Sequence, residues 1–513
     1  MILMKNQIIK LACVAIACAV VSACDAEFDN PVSGNTGDSG TADLSKFVTI
    51  GDSITAGYAD GALYLTGQEN SYPAILAQQF AVVGGDANFT QPLVSDNLGG
   101  LLAGGNQITD NRLVLDLTDP TSPSPVNLTG TPTTEVIGSG LNGTAFSNMG
   151  VPGAKSFHLG APGYGDPAGI LLGLSNPFFT RFASDPATAT MIGDAAVQAP
   201  SFFVLWIGNN DVLSYATTGG VGIDRTGDFD PTGYGANDIT DPIAVFPGVY
   251  SGLVGAFKTA NPAVQGVLVN IPDVSTLPYF TTVPYNPVPF DTSDPVDQAT
   301  VNALNGGYAA YNGGVAYALS VGLITADEAA LRTISFSDGQ NAVVIMDEDL
   351  SDITIVDPKL IKMRQATAAD LLVLTSSSKI GTLANPADPT TAWGVGVPLE
   401  DSDVLIPSEI AAIDTARTAF NTTIADIAAA DANLILVDSA AIMQEISTTG
   451  IDYGTGAINA DYATGGAFSL DGVHPTARGY AVVANRIIDA INTGFNASIP
   501  AVNPGDYTTI FVQ

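Results

Sequence analysis

The sequence predicts an α/β protein, a doubly wound, mostly parallel sheet sandwiched by helices, with large insertions forming a cap. Three observations carry that expectation. Short apolar runs such as Phe47-Val48-Thr49-Ile50 and Phe202-Phe203-Val204-Leu205-Trp206-Ile207 end at glycine. They read as apolar strands. Amphipathic stretches of helical period follow such runs, and strands alternating with helices build a parallel sheet. Polar residues able to do chemistry stand just past the strand ends, where open α/β sheets place their ligands.

The elements follow in chain order. Lys5 and Lys10 precede an apolar run over residues 11–21 that leads into Val21-Ser22-Ala23-Cys24. This segment resembles a bacterial lipoprotein signal, with residues 1–23 removed and Cys24 lipidated. Its apolar run falls short of the ~20 residues a membrane span needs. Cys13 and Cys18 would leave with the signal, so no intrachain disulfide is expected. Residues 24–43, rich in Asp, Asn, Gly, Ser and Thr, read as a flexible tether, and residues 44–513 as one catalytic domain.

Within that domain the first strand covers residues 46–50. Ser71-Tyr72-Pro73 opens a helix through Phe80, with Pro in its first turn. Asn148-Met149-Gly150-Val151-Pro152-Gly153-Ala154 reads as a glycine-rich turn. Val267-Leu268-Val269-Asn270-Ile271 is a buried strand that breaks at Pro272. Ile410, Ile413, Phe420, Ile424 and Ile427 draw one face of a helix over 408–430, and Leu434-Ile435-Leu436-Val437 is the next strand. Pro475 is expected to start a last helix, with Tyr480, Val483, Ile487 and Ile491 facing inward.

Two stretches exceed a minimal version of such a fold. The first, about residues 59–142, holds one helix and then Gly, Thr and Pro-rich connections. The second, about 278–405, carries a Thr325-Ala326-Asp327-Glu328 capping box and a hairpin expected to turn at Asp338-Gly339, between 334–336 and 342–346. Insertions at the C-terminal edge of a sheet shape the cleft, so both are expected to bear on substrate choice. Asp347, Glu348, Asp349 and Asp352 lack the glycine and spaced oxygens of a calcium loop and read as a solvated charged turn.

The chemistry lies in four short blocks. Gly51-Asp52-Ser53 offers a serine at a strand tip, and Asp471-Gly472-Val473-His474-Pro475 offers a base with a carboxylate three residues before it. One tight turn lets Asp471 reach Nδ1 of His474 while Nε2 faces the serine. The chain has two histidines. His158 has no carboxylate beside it and reads as a structural or pocket-rim residue. The glycine turn and Gly208-Asn209-Asn210-Asp211 are suited to an oxyanion hole, built from the Ser53 N–H, the Gly153 N–H and the Asn210 amide.

In order and context the four blocks resemble the SGNH (GDSL-type) hydrolase family, whose Ser, Gly, Asn and His match Ser53, Gly153, Asn210 and His474. Gly150 shares the second block. The family glycine lies just before a small residue after a Val-x pair, which favours Gly153. The first block reads Gly-Asp-Ser-Ile rather than Gly-Asp-Ser-Leu, an apolar exchange. The resemblance implies a flavodoxin-like sheet and a lipid-anchored serine ester hydrolase with Ser53, Asp471 and His474 catalytic and no metal or organic cofactor. An acyltransferase sharing the acyl-enzyme and a surface glycan-binding lipoprotein on the same scaffold are the alternatives. The expected location is the bacterial cell envelope, at the outer membrane, with a membrane contact through Cys24.

The formal net charge is −35, from 16 basic and 51 acidic side chains. Nucleic acid, which needs clustered Lys and Arg, is excluded as a partner. Anionic substrates are disfavoured, and neutral lipid, short-chain or acetylated-glycan esters fit better.

Overall fold

A computed structural model describes residues 37–119 and 123–512. The expected signal and Cys24 lie outside the described residues. Five parallel strands form the central sheet: β1 (Phe47–Gly51), β2 (Asn148–Gly150), β3 (Phe202–Trp206), β4 (Gln265–Val269) and β5 (Leu434–Val437). Their order across the sheet is β2-β1-β3-β4-β5, with Gly51 beside both Gly150 and Trp206. The order reverses at β1, so a crevice opens at the carboxyl ends of β1 and β3.

Successive residues of a strand point to opposite faces, and here both faces are covered. Phe47, Phe202, Val204, Trp206, Val267 and Val437 face a core closed by α1 (Tyr72–Val82) and, at the chain's end, a helix over Ala477–Phe495. Val48, Ile50, Phe203, Leu205 and Leu268 face the opposite core, closed by α3 (Val245–Ala260) and α4 (Pro407–Ala429). Between these lies α2 (Asn210–Thr217), directly after β3. We call the last helix α5. Burial on both sides explains why the strands read as continuous apolar runs rather than alternating ones. Each fully buried Phe or Val contributes roughly 1.5–3 kcal/mol of transfer free energy.

The helix expected after Ser71 forms as α1, with the Ser71 hydroxyl accepting from the Ala74 N–H. It belongs to the layer that covers the sheet, although it lies in the first of the two long stretches. The 278–405 stretch folds around apolar clusters of its own. One gathers Val301, Tyr308, Tyr311 and Val315 from a helix over Pro295–Ser320 against Ile334, Phe336 and Val344. Its base rejoins the main core through Val373 and Leu405.

Several local expectations are corrected. The stretch starting at Asn148 is not a turn throughout: its first three residues are the edge strand β2, and only Val151 to Ala154 turn. Pairing with β1 decides this, because the apolar Met149 has a buried place in the sheet. No hairpin forms at Asp338-Gly339. Gly339–Asn341, expected at the turn, pairs with the earlier Val288–Phe290, Val344–Met346 pairs with the later Met363–Gln365, and residues 334–336 form no strand. The last helix starts at Ala477, because the Thr476 hydroxyl caps the Gly479 N–H and Pro475 stays outside. Asp347 is buried rather than solvated, ion-paired with Arg364, which also holds Asp370 at 2.7 Å. The end of the expected tether is held: Thr41 N–H donates to Phe495 O (2.8 Å), Asp43 N–H to Gln265 Oε1 (2.7 Å), and Ala42 is buried.

Candidate active site

Ser53 opens a single helical turn, Ser53–Ala56, immediately after β1. The preceding Asp52 caps that turn, its Oδ1 accepting from the Ile54 N–H at 3.0 Å and its Oδ2 from Asn209 Nδ2 at 2.8 Å. The latter bond ties the tip of β1 to the tip of β3. Asp52 is fully buried, and that burial pushes its carboxyl up to about 6.

Far along the chain, residues 469–474 fold into a loop that brings His474 to the serine. The Ser469 N–H donates to His474 O (2.8 Å) and the Gly472 N–H to Ser469 O (3.0 Å). Gly472 has φ +72°, and a Cβ there would press on Tyr279 N at 3.1 Å and Leu374 Cδ2 at 3.0 Å. The base of the 278–405 stretch therefore buttresses the loop, with the Tyr279 N–H donating to Gly472 O at 3.0 Å.

The result is a continuous relay. His474 Nε2 lies 2.8 Å from Ser53 Oγ, across 421 residues of sequence, and His474 Nδ1 lies 2.9 Å from Asp471 Oδ2. Asp471 Oδ1 accepts from the Val473 and His474 N–H groups, at 2.9 and 2.8 Å, and Oδ2 also accepts from the Gly61 N–H at 2.9 Å. Burial alone would raise this carboxyl, but the His474 charge and these donors outweigh it and hold it at about 2. It is thus an anion wherever the protein is folded near neutrality, able to orient the imidazole and to stabilise its protonated form.

Both glycines of the second block are required, for different reasons. A Cβ on Gly150 would collide with the backbone of Thr55 and Ala56, so Gly150 permits β2 to lie against the turn that Ser53 opens. Gly153 is exposed, has φ +78°, and lines the pocket that holds Ser53. Among the described residues no acceptor takes its N–H. Asn210 begins α2, and its Nδ2 donates to Ala154 O at 2.9 Å, which aims the amide while leaving its second hydrogen free. Asp211 accepts from Ser156 N–H (2.8 Å) and Oγ (2.6 Å), locking the second block to the third.

Ser53, Gly153, Asn210 and His474 share one open cavity of about 320 Å³, further lined by Tyr58, Pro152, Phe178 and Leu213. Pro152 belongs to the second block, whereas Tyr58, Phe178 and Leu213 were not legible in the sequence as neighbours of the site. Tyr58 packs on the imidazole, ring centroids 4.7 Å apart, and its hydroxyl donates to Gly61 O. His158 stands elsewhere. It stacks on Tyr164 at 4.3 Å, its Nδ1 accepts from the Lys155 N–H at 3.0 Å, and burial depresses its pKa to about 3. It is a neutral hydrogen-bond acceptor on the wall of a second cavity, of about 730 Å³, that meets the first at Gly153.

The raised Asp52 carboxyl carries a pH prediction. The folded chain holds this proton up to about pH 6, whereas the unfolded chain releases it near its ordinary value of 3.8. The stabilising contribution is therefore full below that value and lost as pH rises through 6. Asp52→Asn removes the titration and leaves one oxygen acceptor where the carboxyl has two, a loss that does not change with pH. Its Tm relative to wild type should climb between pH 4 and 7; a difference that stays flat would show that Asp52 does not titrate in this window.

Scans against protein-family models, curated proteins and solved structures return no match to this chain.

Proposed function

We propose that this chain is a serine ester hydrolase of the SGNH type, acting on neutral esters. The observation that carries the reading is the unbroken relay from Asp471 through His474 to Ser53 Oγ, with hydrogen-bond distances of 2.9 and 2.8 Å. In the mechanism Ser53 Oγ attacks the ester carbonyl carbon while its proton passes to His474 Nε2. Asp471 stabilises the imidazolium. The carbonyl oxygen, now negative, is held by the Ser53 and Gly153 N–H groups and the free Asn210 hydrogen. Collapse breaks the carbon–oxygen bond to the alcohol, which leaves with the His474 proton. Water, deprotonated in turn by His474, releases the acid and restores Ser53.

Tyr58, Phe178, Leu213 and Val473 give the cavity an apolar wall, which supports an uncharged acyl group as ligand, and the net charge of −35 disfavours anionic ones. A panel of p-nitrophenyl esters and acetylated glycans, assayed on wild type and Ser53→Ala, tests the reading. Turnover is expected in wild type alone, and equal turnover by Ser53→Ala would remove Ser53 as the nucleophile.

The lipid anchor is a separate part of the proposal, resting on the Val21-Ser22-Ala23-Cys24 pattern. Among the described residues no helix is long and apolar enough to cross a membrane. Lipid on Cys24 would send the wild type into the detergent phase and leave Cys24→Ser in the aqueous one. Equal aqueous partitioning of both would remove the anchor.

A further inference from the structure

Away from the catalytic relay, Glu348, Asp401 and Glu409 converge from three segments, with one carboxylate oxygen of each within 4.8 Å of the others. Glu348 follows the strand Val344–Met346 in the 278–405 stretch, Asp401 opens the turn Asp401–Asp403 near its end, and Glu409 lies in the first turn of α4.

Their acidic neighbours are neutralised and they are not. Asp347 pairs with Arg364, and Glu400 and Asp403 with Lys379. Lys362 Nζ donates to the backbone oxygen of Glu348, at 2.7 Å. Among the described residues none of the three carboxylates has an ion pair. Glu409 is 4% exposed; its Oε2 accepts from the Ile406 N–H at 2.8 Å, while its Oε1 is buried with no hydrogen-bond partner. A buried carboxylate oxygen left without a partner, in a group that lies beside two further carboxylates, is costly unless a cation or a proton completes it.

The backbone makes room for this cluster. At the C-terminal end of α2 the chain runs through Gly219 and Gly220, with φ +63° and +83°. A side chain on Gly220 would collide with Glu409 Oε1, and one on Gly219 with the backbone at Asp401 and Ser402. The cluster thus joins three parts: the 278–405 stretch, the scaffold helix α4, and the far end of the helix that carries Asn210.

We propose that Glu348, Asp401 and Glu409 bind a divalent cation of the calcium class, which clips the 278–405 stretch and the end of α2 onto α4. An all-carboxylate donor set, without His or Cys, selects a hard ion. Calcium–oxygen distances of about 2.3–2.6 Å let ligand oxygens sit nearly 5 Å apart across the ion, wider than the tight magnesium octahedron allows. Three protein carboxylates leave the remaining calcium positions to water or backbone oxygens.

The test uses the purified full-length protein, stripped with EDTA and titrated calorimetrically with calcium chloride, with thermal unfolding followed over the same concentrations. One ion per chain is expected, with Tm rising with the logarithm of calcium concentration above Kd. Glu348→Gln, at an exposed position that leaves packing unchanged, should weaken Kd at least about tenfold. Asp401→Asn should do the same, and Ser53→Ala should bind as wild type does. Absence of both heat and Tm shift would overturn the proposal, as would binding undiminished in both Glu348→Gln and Asp401→Asn. Magnesium bound more tightly than calcium would overturn the assigned class.

Discussion

His474→Ala is expected to lower kcat for ester turnover by roughly four to six orders of magnitude, as far as Ser53→Ala, and the double variant should be no slower than either. The two side chains act as one unit. With Nε2 2.8 Å from Oγ, the imidazole is placed where it could accept the serine proton, and a serine without a base is a poor nucleophile near neutrality. Residual catalysis over water would come from the oxyanion donors, which neither substitution touches. His158→Ala supplies the control, since His158 accepts from a backbone N–H within its own turn and packs on Tyr164. It should leave ester turnover in place. Steady-state kinetics on one p-nitrophenyl ester decides the matter, and a larger loss in His158→Ala than in His474→Ala would overturn the site assignment.

Asp471→Asn should cost about four orders of magnitude in kcat, no more than His474→Ala. Asp471 is purely an acceptor, taking N–H bonds from Gly61, Val473 and His474 as well as the imidazole Nδ1. An amide has only one oxygen. Whichever way it turns, its NH₂ confronts a donor: facing Nδ1 it forces the wrong imidazole tautomer, and facing the backbone it loosens the loop. The same change alters acid stability. The Asp471 carboxyl is held at about 2 against an ordinary 3.8, so its contribution is present above about pH 4 and lost as pH falls through 2. Acid unfolding of Asp471→Asn should be flatter than wild type between these values, and identical acid profiles would show that the anion does not support the fold.

The parts of the site that were readable from residues alone are those whose reason is local. Gly51-Asp52-Ser53 follows an apolar run, and Asp471 precedes His474 by one turn, so strand tip and relay geometry both follow from short-range chain chemistry. The strands at 47–51, 202–206, 265–269 and 434–437 were legible for the same reason. Burial on two faces leaves an uninterrupted apolar run that needs no distant information to recognise. The hairpin at Asp338-Gly339 failed because its turn signal competes with strand partners elsewhere, and pairing energy belongs to the pair rather than to one segment. Asp347 misled for a similar reason. Its charge suggests solvent, and only Arg364, held beside it by the Val344–Met346 and Met363–Gln365 pairing, makes burial tolerable.

By itself the sequence determined the α/β class, the main strands, and the identities of the serine, the histidine and the carboxylate beside it. Period, apolar runs and glycine positions are set within a few residues, so they survive without knowledge of the fold. Tertiary structure alone decided the division of labour between Gly150, which lets β2 approach the turn at Ser53, and Gly153, which faces the cavity. It also decided the stacking of Tyr58 on His474, the bond from Asn209 to Asp52, and the meeting of Glu348, Asp401 and Glu409. Each of these depends on which surfaces pack together across tens to hundreds of residues. That choice is made by the complementarity of buried faces, and no single stretch of the chain carries it.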